Sequence, residues 1–552
     1  MRLTPFSALI VLLAGAALPA QEVSQSGLRL EAARPMVAQP ARVPHAMAAT
    51  VHELATDAAL EILRAGGNAV DAAVAAGFAL GVVHPEAGNL GGSGYLLLRT
   101  AEGKLTAFDY GGAAPSGSRQ GMFANPKEAS VGYRSVAVPG TVSGLGVAHA
   151  ACGKLKWARC LEPARRLAEQ GFPASYRLEL ILRLQVPVMK AFPDSAKVFL
   201  HGSDRPLKQG EILRQPELAA TIRRIQKRGW REFYQGETAR RIAADMKDNG
   251  GFMTFEDLRR YEAKQTEPLR VVYRGHPVYT MSPSSTGGIA LSVMLNVFNR
   301  YPVELGREGS AAVRHLQIEA IRRGHGARAR ILEDDHVSVE RLISAEYAAQ
   351  SAADLSLERA TPPAIRPPAD TESPDTTQFT IVDAQGNIVS NTYTLSGFFG
   401  SQVVARGTGV LLNNHMSAFR SSRRLAPGKR YPSTMAPTIV TKPDNSPYFA
   451  LGTPGASTIP ATLFQVIVNV IDFKMSLRDA IQFPRIDASA STVNAEPAAL
   501  IFDIAERLRA MGHRISPQLR SQGDVQAIMI EGETGWRLGW SDGRRGGSVK
   551  GY

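Results

Sequence analysis

The sequence predicts an α+β protein in which helices dominate up to about residue 350 and strands take over from residue 376. Three patterns carry that expectation. Apolar residues recur at helical spacing in segments such as WARCLEPARRLAEQG and PELAATIRRIQKRG. A proline-rich stretch, LSLERATPPAIRPPADTESPD (355–375), then breaks the periodicity and reads as an extended, exposed tether. Directly after it TTQFTIVD alternates, Gln385-Gly386-Asn387 turns, and IVSNTYTL returns as the second strand of a hairpin.

The elements follow in chain order. The chain opens with MRLTPFSALIVLLAGAALPAQE. Arg2 gives a short positive start, the apolar stretch is too short to span a bilayer comfortably, and small residues run from Ala14 to Ala20. This predicts a secretory signal peptide over residues 1–20 and a secreted or periplasmic mature protein, an uncleaved anchor being the alternative. In Glu53–Val83, Leu54, Ala58, Ile62 and Leu63 lie at helical spacing, Gly66-Gly67 stops the helix, and Asn68–Leu80 restarts it. A glycine-rich loop, Gly88 to Gly94, precedes the strand-like YLLLRT. The order helix–loop–strand and the lack of GK[ST] exclude a nucleotide cradle, so these glycines read as close backbone packing. The middle of the chain is mostly helical, with a strand pair in LRVVYRGHPVYTM followed by PSSTGG (283–288). His315, Glu319 and His325 share one helical stretch there. They read as metal ligands or as a solvated helix face, and their spacing matches no zinc motif.

Composition narrows the classes. The 552 residues are 44% apolar and 20% charged, which excludes a disordered chain. Two cysteines exclude a disulfide scaffold or a cysteine-rich metal module. Cys152 and Cys160 form one bridge or remain two thiols. The net charge of +13 and pI near 9.7 come from scattered pairs such as Arg223-Arg224, Arg322-Arg323 and Arg423-Arg424. No basic run interleaves with aromatics, so no nucleic-acid partner is expected. No later apolar run is long enough for a membrane helix.

A tether abutting a threonine at the start of a strand has a chemical consequence. If the bond before Thr376 is cut, its α-amine becomes free with a pKa of about 8. That amine can take the proton of the residue's own hydroxyl, so one residue supplies both nucleophile and base. Taken alone, Asp375-Thr376-Thr377 is also what two β-branched strand residues look like.

Many segments in one order resolve this. They are ATDAALEILRAGGNAVDAAVA (55–75), VVHPEAGNLGGSGYLLL (82–98), AVPGTVSGL (137–145), LEPARRLAEQGFP (161–173), DLRRYEAKQTEPLRVVYRG (257–275), PDTTQFTIVDAQGNIVSNTYTL (374–395), FGSQVVARGTGVLLNNHM (399–416), STMAPTIV (433–440), LGTPGAS (451–457) and the terminal Gly551-Tyr552. From about residue 44 to Tyr552 the sequence resembles the γ-glutamyltransferase (glutathione hydrolase) family of N-terminal-nucleophile hydrolases. The resemblance implies a four-layer αββα sandwich of two stacked, mainly antiparallel sheets covered by helices. It implies self-cleavage between Asp375 and Thr376 into a large subunit (21–375) and a small one (376–552). It implies Thr376 as nucleophile, Thr394 as its orienting partner, and the N–H groups of Gly455 and Ala456 as oxyanion donors. It also implies a small-molecule amide substrate and no need of a cofactor or metal.

The same alignment shows departures. Ser433 and Thr434 match the pair that contacts the substrate carboxylate, and Ser396 replaces a substrate-holding Asn. The place of a carboxylate-binding Arg is held by Gly111, with Gly112 beside it. The amine-binding positions are His415 and Ala418. Arg420 and Arg423 are candidate substitutes for the missing cation, and the segment RSSRRLAPGKR (420–430) is short for a lid over the site. The implied function is therefore a secreted, self-processed Thr amidohydrolase acting on γ-glutamyl amides, hydrolysis favoured over transfer. Two alternatives stand beside it: an acylase for a non-glutamyl acyl group, because the zwitterion clamp is missing, and a non-catalytic binding protein of the same fold.

Overall fold

The computed structural model describes residues 40–552 apart from 124, 203, 282, 284, 303, 305, 335, 363–374, 422–424 and 520. The expected signal peptide, and Arg423, lie outside the described residues.

Two seven-stranded sheets, each with antiparallel neighbours throughout, form the centre. The first runs, from edge to edge, Ser548–Gly551, Met47–Thr50, Thr376–Val382, Ile388–Thr394, Ser93–Arg99, Leu105–Tyr110 and Lys264–Thr266. The second runs Ala41–Val43, Arg537–Ser541, Gln526–Ile530, Pro447–Gly452, Thr438–Thr441, His276–Thr280 and Leu269–Tyr273. Both sheets draw strands from both sides of residue 375, so the segments before and after it are interwoven and contribute to the same cores.

Alternation along the strands explains the layers. In the first sheet Leu96, Leu98, Phe108, Phe379 and Ile381 face one core, shared with helices Glu53–Arg64, Ala69–Val83, Thr141–Cys152 and Trp157–Gln170. Tyr95, Leu97, Val382 and Ile388 face the other, shared with Val278, Ile439 and Phe449 of the second sheet. Helices Thr286–Phe298, Ala311–Glu333 and Thr458–Ile471 belong to that second core. The order is helix, sheet, sheet, helix, the predicted four-layer sandwich. Burial on both faces is why YLLLRT reads as a continuous apolar run. Polar contacts also cross between the sheets: Thr380 Oγ1 donates to the Gln526 carbonyl at 2.8 Å and Ser390 Oγ to the Leu451 carbonyl at 2.9 Å.

The predicted hairpin forms with Thr376 opposite Thr394 and Val382 opposite Ile388. Its turn is set by Asp383, whose Oδ1 accepts the N–H groups of Gln385 and Asn387 at 3.0 and 2.9 Å. The glycine loop packs as expected. A Cβ on Gly92 would lie 2.2 Å from the carbonyl oxygen of Thr394.

Two expectations change. His315, Glu319 and His325 are not on a solvated face: all three are buried within the long helix Ala311–Glu333. The start of the tether, 355–362, is partly exposed as expected, but its backbone is held by specific bonds. Cys152 and Cys160 are both free thiols. Burial and the neighbouring Asp71 carboxylate push the Cys160 thiol far up, so it is not a reactive thiolate.

Candidate active site

Period-2 geometry places the site. Thr376, Gln378 and Thr380 point between the sheets, and so do Ser390, Thr392 and Thr394 on the paired strand. The register continues through Ser93 opposite Thr394, and Tyr110 opposite Gly94 puts Gly111 next in line. Thr376, Thr394, Ser93 and Gly111 thus form one row across four strands, about 14 Å long at ordinary strand spacing.

At one end of the row the Thr394 hydroxyl is a hub. It donates to the carbonyl oxygen of Asp375 at 3.0 Å, accepts the Ser396 N–H at 2.8 Å, and accepts the Thr376 hydroxyl at 3.4 Å. Asp375 and Thr376 are 4% and 5% exposed, so the bond between them is shielded from bulk water. Ser396 holds φ at 82°, a left-handed conformation that bends the chain back so that its N–H reaches Thr394.

The strand Pro447–Gly452 crosses the Thr376 strand from the second sheet. A Cβ on Gly452 would meet the Gln378 amide at 2.2 Å. Beyond Gly452 the chain turns through Thr453 and Pro454 into Gly455 (φ 138°) and Ala456 (φ 52°). No acceptor is recorded for either N–H among the described residues. The Thr434 hydroxyl fixes this turn by donating to the Ala456 carbonyl at 2.9 Å. The neighbouring Ser433 Oγ accepts the Met435 N–H at 3.1 Å. The Thr286 hydroxyl donates to the Ser433 carbonyl at 2.8 Å. The 433–434 pair and the 455–456 pair are therefore one unit.

The other end of the row is closed by His415. Its ring lies 3.4–3.5 Å from Ser93 Oγ and stacks on Tyr431, with centroids 4.3 Å apart. Complete burial lowers its pKa to about 3, so the imidazole is neutral at physiological pH. The ring occupies the volume a side chain at 112 would need: a Cβ there would sit 2.8 Å from His415 Nδ1. A Cβ on Gly111 would lie 3.2 Å from both Asp109 Oδ1 and the Tyr95 hydroxyl, and 3.6 Å from Arg430 Cδ. Arg430 is the cation the structure brings beside Gly111. It is paired with Asp109, donates to the Asp109 carbonyl at 2.7 Å and to the Glu262 carbonyl at 2.9 Å. It lines a cavity of about 700 Å³ together with Asp109, Thr286 and Pro432.

Thr376, Thr394, Ser396 and the Asp375 carbonyl come together, as do Ser433, Thr434, Gly455 and Ala456. His415 faces the same row, and Ala418 is buried a turn further on. Reading the sequence missed Arg430, Tyr431 and Ser93. Ser93 lies in the glycine segment and is the first residue of strand Ser93–Arg99, so pairing that strand with the hairpin would have found it.

The gamma-glutamyltranspeptidase family model matches residues 55–552. The chain belongs to the gamma-glutamyltranspeptidase family. Relatives of this family member include the glutathione hydrolase proenzyme of Pseudomonas aeruginosa, 38% identical over 87% of this chain and 90% of the relative. The acylase ACY 1 proenzyme of a Pseudomonas species is 35% identical over 89% and 90%. Among solved structures, cephalosporin acylase from Bacillus halodurans superposes with a TM-score of 0.84 at 29% identity, covering 94% of this chain and 98% of that one. No helix among the described residues is long and apolar enough to cross a membrane.

Proposed function

We propose that this family member is a secreted or periplasmic precursor that cuts itself before Thr376 and then hydrolyses small amides through an acyl-enzyme on that threonine. The observation that carries this reading is the Thr394 hydroxyl, which bonds both the carbonyl of Asp375 and the hydroxyl of Thr376. Donation to the Asp375 carbonyl withdraws electron density from the carbon to be attacked. Thr376 Oγ adds to that carbon, the C–N bond breaks as its nitrogen takes the proton, and an ester results. Water then cleaves the ester, leaving the Asp375 carboxylate and a free Thr376 amine. In turnover the amine takes the hydroxyl proton while Oγ attacks the substrate carbonyl. The Gly455 and Ala456 N–H groups stabilise the oxyanion. The proton passes from the amine to the leaving nitrogen, and water resolves the acyl-enzyme.

The acyl pocket is the row from Thr394 to Gly111. A γ-glutamyl group carries an ammonium and a carboxylate at its far end. Here that end meets a neutral His415, Ala418, Gly111 and an Arg430 already paired with Asp109. This favours, as a second reading, an acyl group with less charge than glutamate. The relatives named as acylases are compatible with it.

The test is direct. N-terminal sequencing of the smaller fragment should begin at Thr376, and Thr376→Ala should leave one uncut chain without activity. Purified enzyme offered γ-glutamyl- and glutaryl-p-nitroanilide separates the two acyl readings. A chain that stays whole yet binds an amide ligand would point instead to a binding protein of this fold.

A further inference from the structure

Helix Tyr176–Met189 carries apolar side chains on both faces. Leu178, Ile181, Leu182 and Met189 are buried in the core shared with the first sheet and anchor the helix there. On the opposite face Tyr176, Leu180 and Leu184 are 64, 45 and 65% exposed. They recur at i, i+4 and i+8, so they form one stripe along the helix, and the exposed Pro187 extends it by a turn. A surface helix ordinarily carries polar side chains at such positions. Just before the helix, Pro173 pairs with Ile212, which is 46% exposed. Of the seven large apolar side chains exposed among the described residues, four are these. Single exposed apolar residues are ordinary, whereas a cluster marks a contact surface.

The rim of the stripe is cationic. The Gln209 N–H donates to Glu179 Oε2 at 2.8 Å, which lays the loop before Ile212 along the helix. Ile212 and Arg214 lie over the same glycine: a Cβ on Gly171 would come within 2.6 Å of Ile212 Cγ2 and 2.7 Å of Arg214 Cγ. Lys190 at the helix end, Lys208 and Arg214 are all exposed. The acids against the helix are already taken, Glu179 by Arg183 and Glu211 by Arg205 and His201. No carboxylate pairs with Lys190, Lys208 or Arg214 among the described residues. Asp204, exposed in the adjoining hairpin, offsets at most one of these charges.

Apolar side chains standing on a convex face, with cations around them, select among occupants. A second copy of the chain would bring the same cations against themselves. A rigid protein partner is disfavoured by area: four side chains offer a few hundred Å², well short of the roughly 800 Å² per partner of a stable interface. A lipid interface needs no complementary groove. A few inserted side chains bind there, and each nearby cation adds attraction to acidic headgroups. We propose that helix Tyr176–Met189, with Ile212, Lys208 and Arg214 beside it, docks the protein on the surface of a bilayer containing acidic phospholipid. The leucines and Ile212 enter the acyl boundary, Tyr176 keeps its hydroxyl among the headgroups, and the cations meet the phosphates. This docking requires neither the cut before Thr376 nor the acyl chemistry, so failure of either leaves it standing.

The experiment is co-sedimentation of the purified protein with vesicles of phosphatidylcholine alone or with about one-third phosphatidylglycerol. Four proteins are compared: wild type, Leu180→Ser/Leu184→Ser, Lys190→Gln/Lys208→Gln/Arg214→Gln, and Val272→Ser/Ile501→Ser, which removes two exposed apolar side chains elsewhere. All these positions are on the surface, and thermal unfolding checks that each variant is folded. Wild type should bind the acidic vesicles about tenfold or more tightly than the neutral ones, and less tightly as salt rises. The leucine changes should weaken binding about tenfold or more. The glutamine changes should cut the preference for acidic vesicles about fivefold or more, and the Val272/Ile501 variant should bind as wild type does. Equal binding by wild type and the leucine variant overturns the proposal, since adsorption would then run through the apolar N-terminal stretch or the net charge of +13. So does an absence of binding to the acidic vesicles. A wild-type dimer on gel filtration that the leucine changes dissolve would make the occupant a second copy. Capture of polyaspartate in place of vesicles would make it an acidic polypeptide. Either result overturns docking on lipid.

Discussion

The Thr394 hydroxyl lies 3.0 Å from the carbonyl oxygen of Asp375 and is positioned to donate to it. Because it also accepts from the Ser396 N–H and the Thr376 hydroxyl, its own proton has one place to go. In the self-cleavage proposed above, that proton polarises the scissile carbonyl before the cut, and afterwards the hydroxyl remains to orient the proposed nucleophile. Thr394→Ala should therefore slow both events, self-cleavage by about 10–100-fold, the worth of one to three kcal/mol for a lost buried hydrogen bond. Thr394→Ser keeps the oxygen and should stay within about fivefold. Fragment formation followed on denaturing gels reads the first event and kcat the second. An alanine variant that matures at the wild-type rate would show that the contact is incidental.

The turn at Gly455 and Ala456 separates conformation from chemistry. Gly455 sits at φ 138°, and a Cβ there would lie 2.4 Å from Thr458 Oγ1. Gly455→Ala should cost about 2 kcal/mol or more and disorder the N–H pair. Ala456 at φ 52° is a side-chain residue in the left-handed region, so Ala456→Gly should stabilise by about 1 kcal/mol. Its N–H is unchanged, so activity should hold within a few-fold. Denaturant unfolding of the two variants should shift in opposite directions; shifts in the same direction would refute the conformational account.

Much of this was legible because it is local or periodic. The hairpin with its turn at Gln385-Gly386-Asn387 and the strand-like run YLLLRT are short-range patterns, and so is the threonine at a strand start after a proline-rich stretch, which opens strand Thr376–Val382. What was not legible joins distant parts of the chain. His315 meets His513 across 198 positions, so a helix rich in charge looked solvated when its charges were paired inside. Arg430 reaches Gly111 only because residues 428–431 hydrogen-bond to residues 112–114, and no spacing rule announces that. The glycines at 111 and 112 were visible as departures, but their cause lies in Asp109, Tyr95 and the His415 ring.

The acyl pocket can be tested by restoring charge. His415 is buried, neutral and beside Ser93 in the row that begins at Thr376. His415→Glu puts a carboxylate where an α-ammonium would lie. Buried and unpaired, it should lower stability by about 1–3 kcal/mol. The ammonium of a γ-glutamyl substrate would supply its counter-charge, so the ratio of kcat/KM for γ-glutamyl- over glutaryl-p-nitroanilide should rise about tenfold or more, 1.4 kcal/mol of discrimination. An unchanged ratio would place the acyl end elsewhere.

The same ring makes a prediction about acid. Its pKa falls from 6.5 to about 3 on folding because burial penalises the charged form. Between those values the unfolded chain binds a proton that the folded chain refuses, so stability drops as pH falls through that window and is insensitive to this group above it. His415→Gln removes the titration while keeping a polar side chain. The stability difference between wild type and His415→Gln, measured by urea unfolding, should thus shrink by about 2.7 kcal/mol in moving from pH 7.5 to pH 4.5. Between pH 6 and 9 the two proteins should share one kcat/KM profile shape, because the ring carries no charge there. A stability gap that stays constant from pH 7.5 to 4.5 would mean that His415 is solvated and charged in solution, and the neutral end of the acyl pocket would be lost with it.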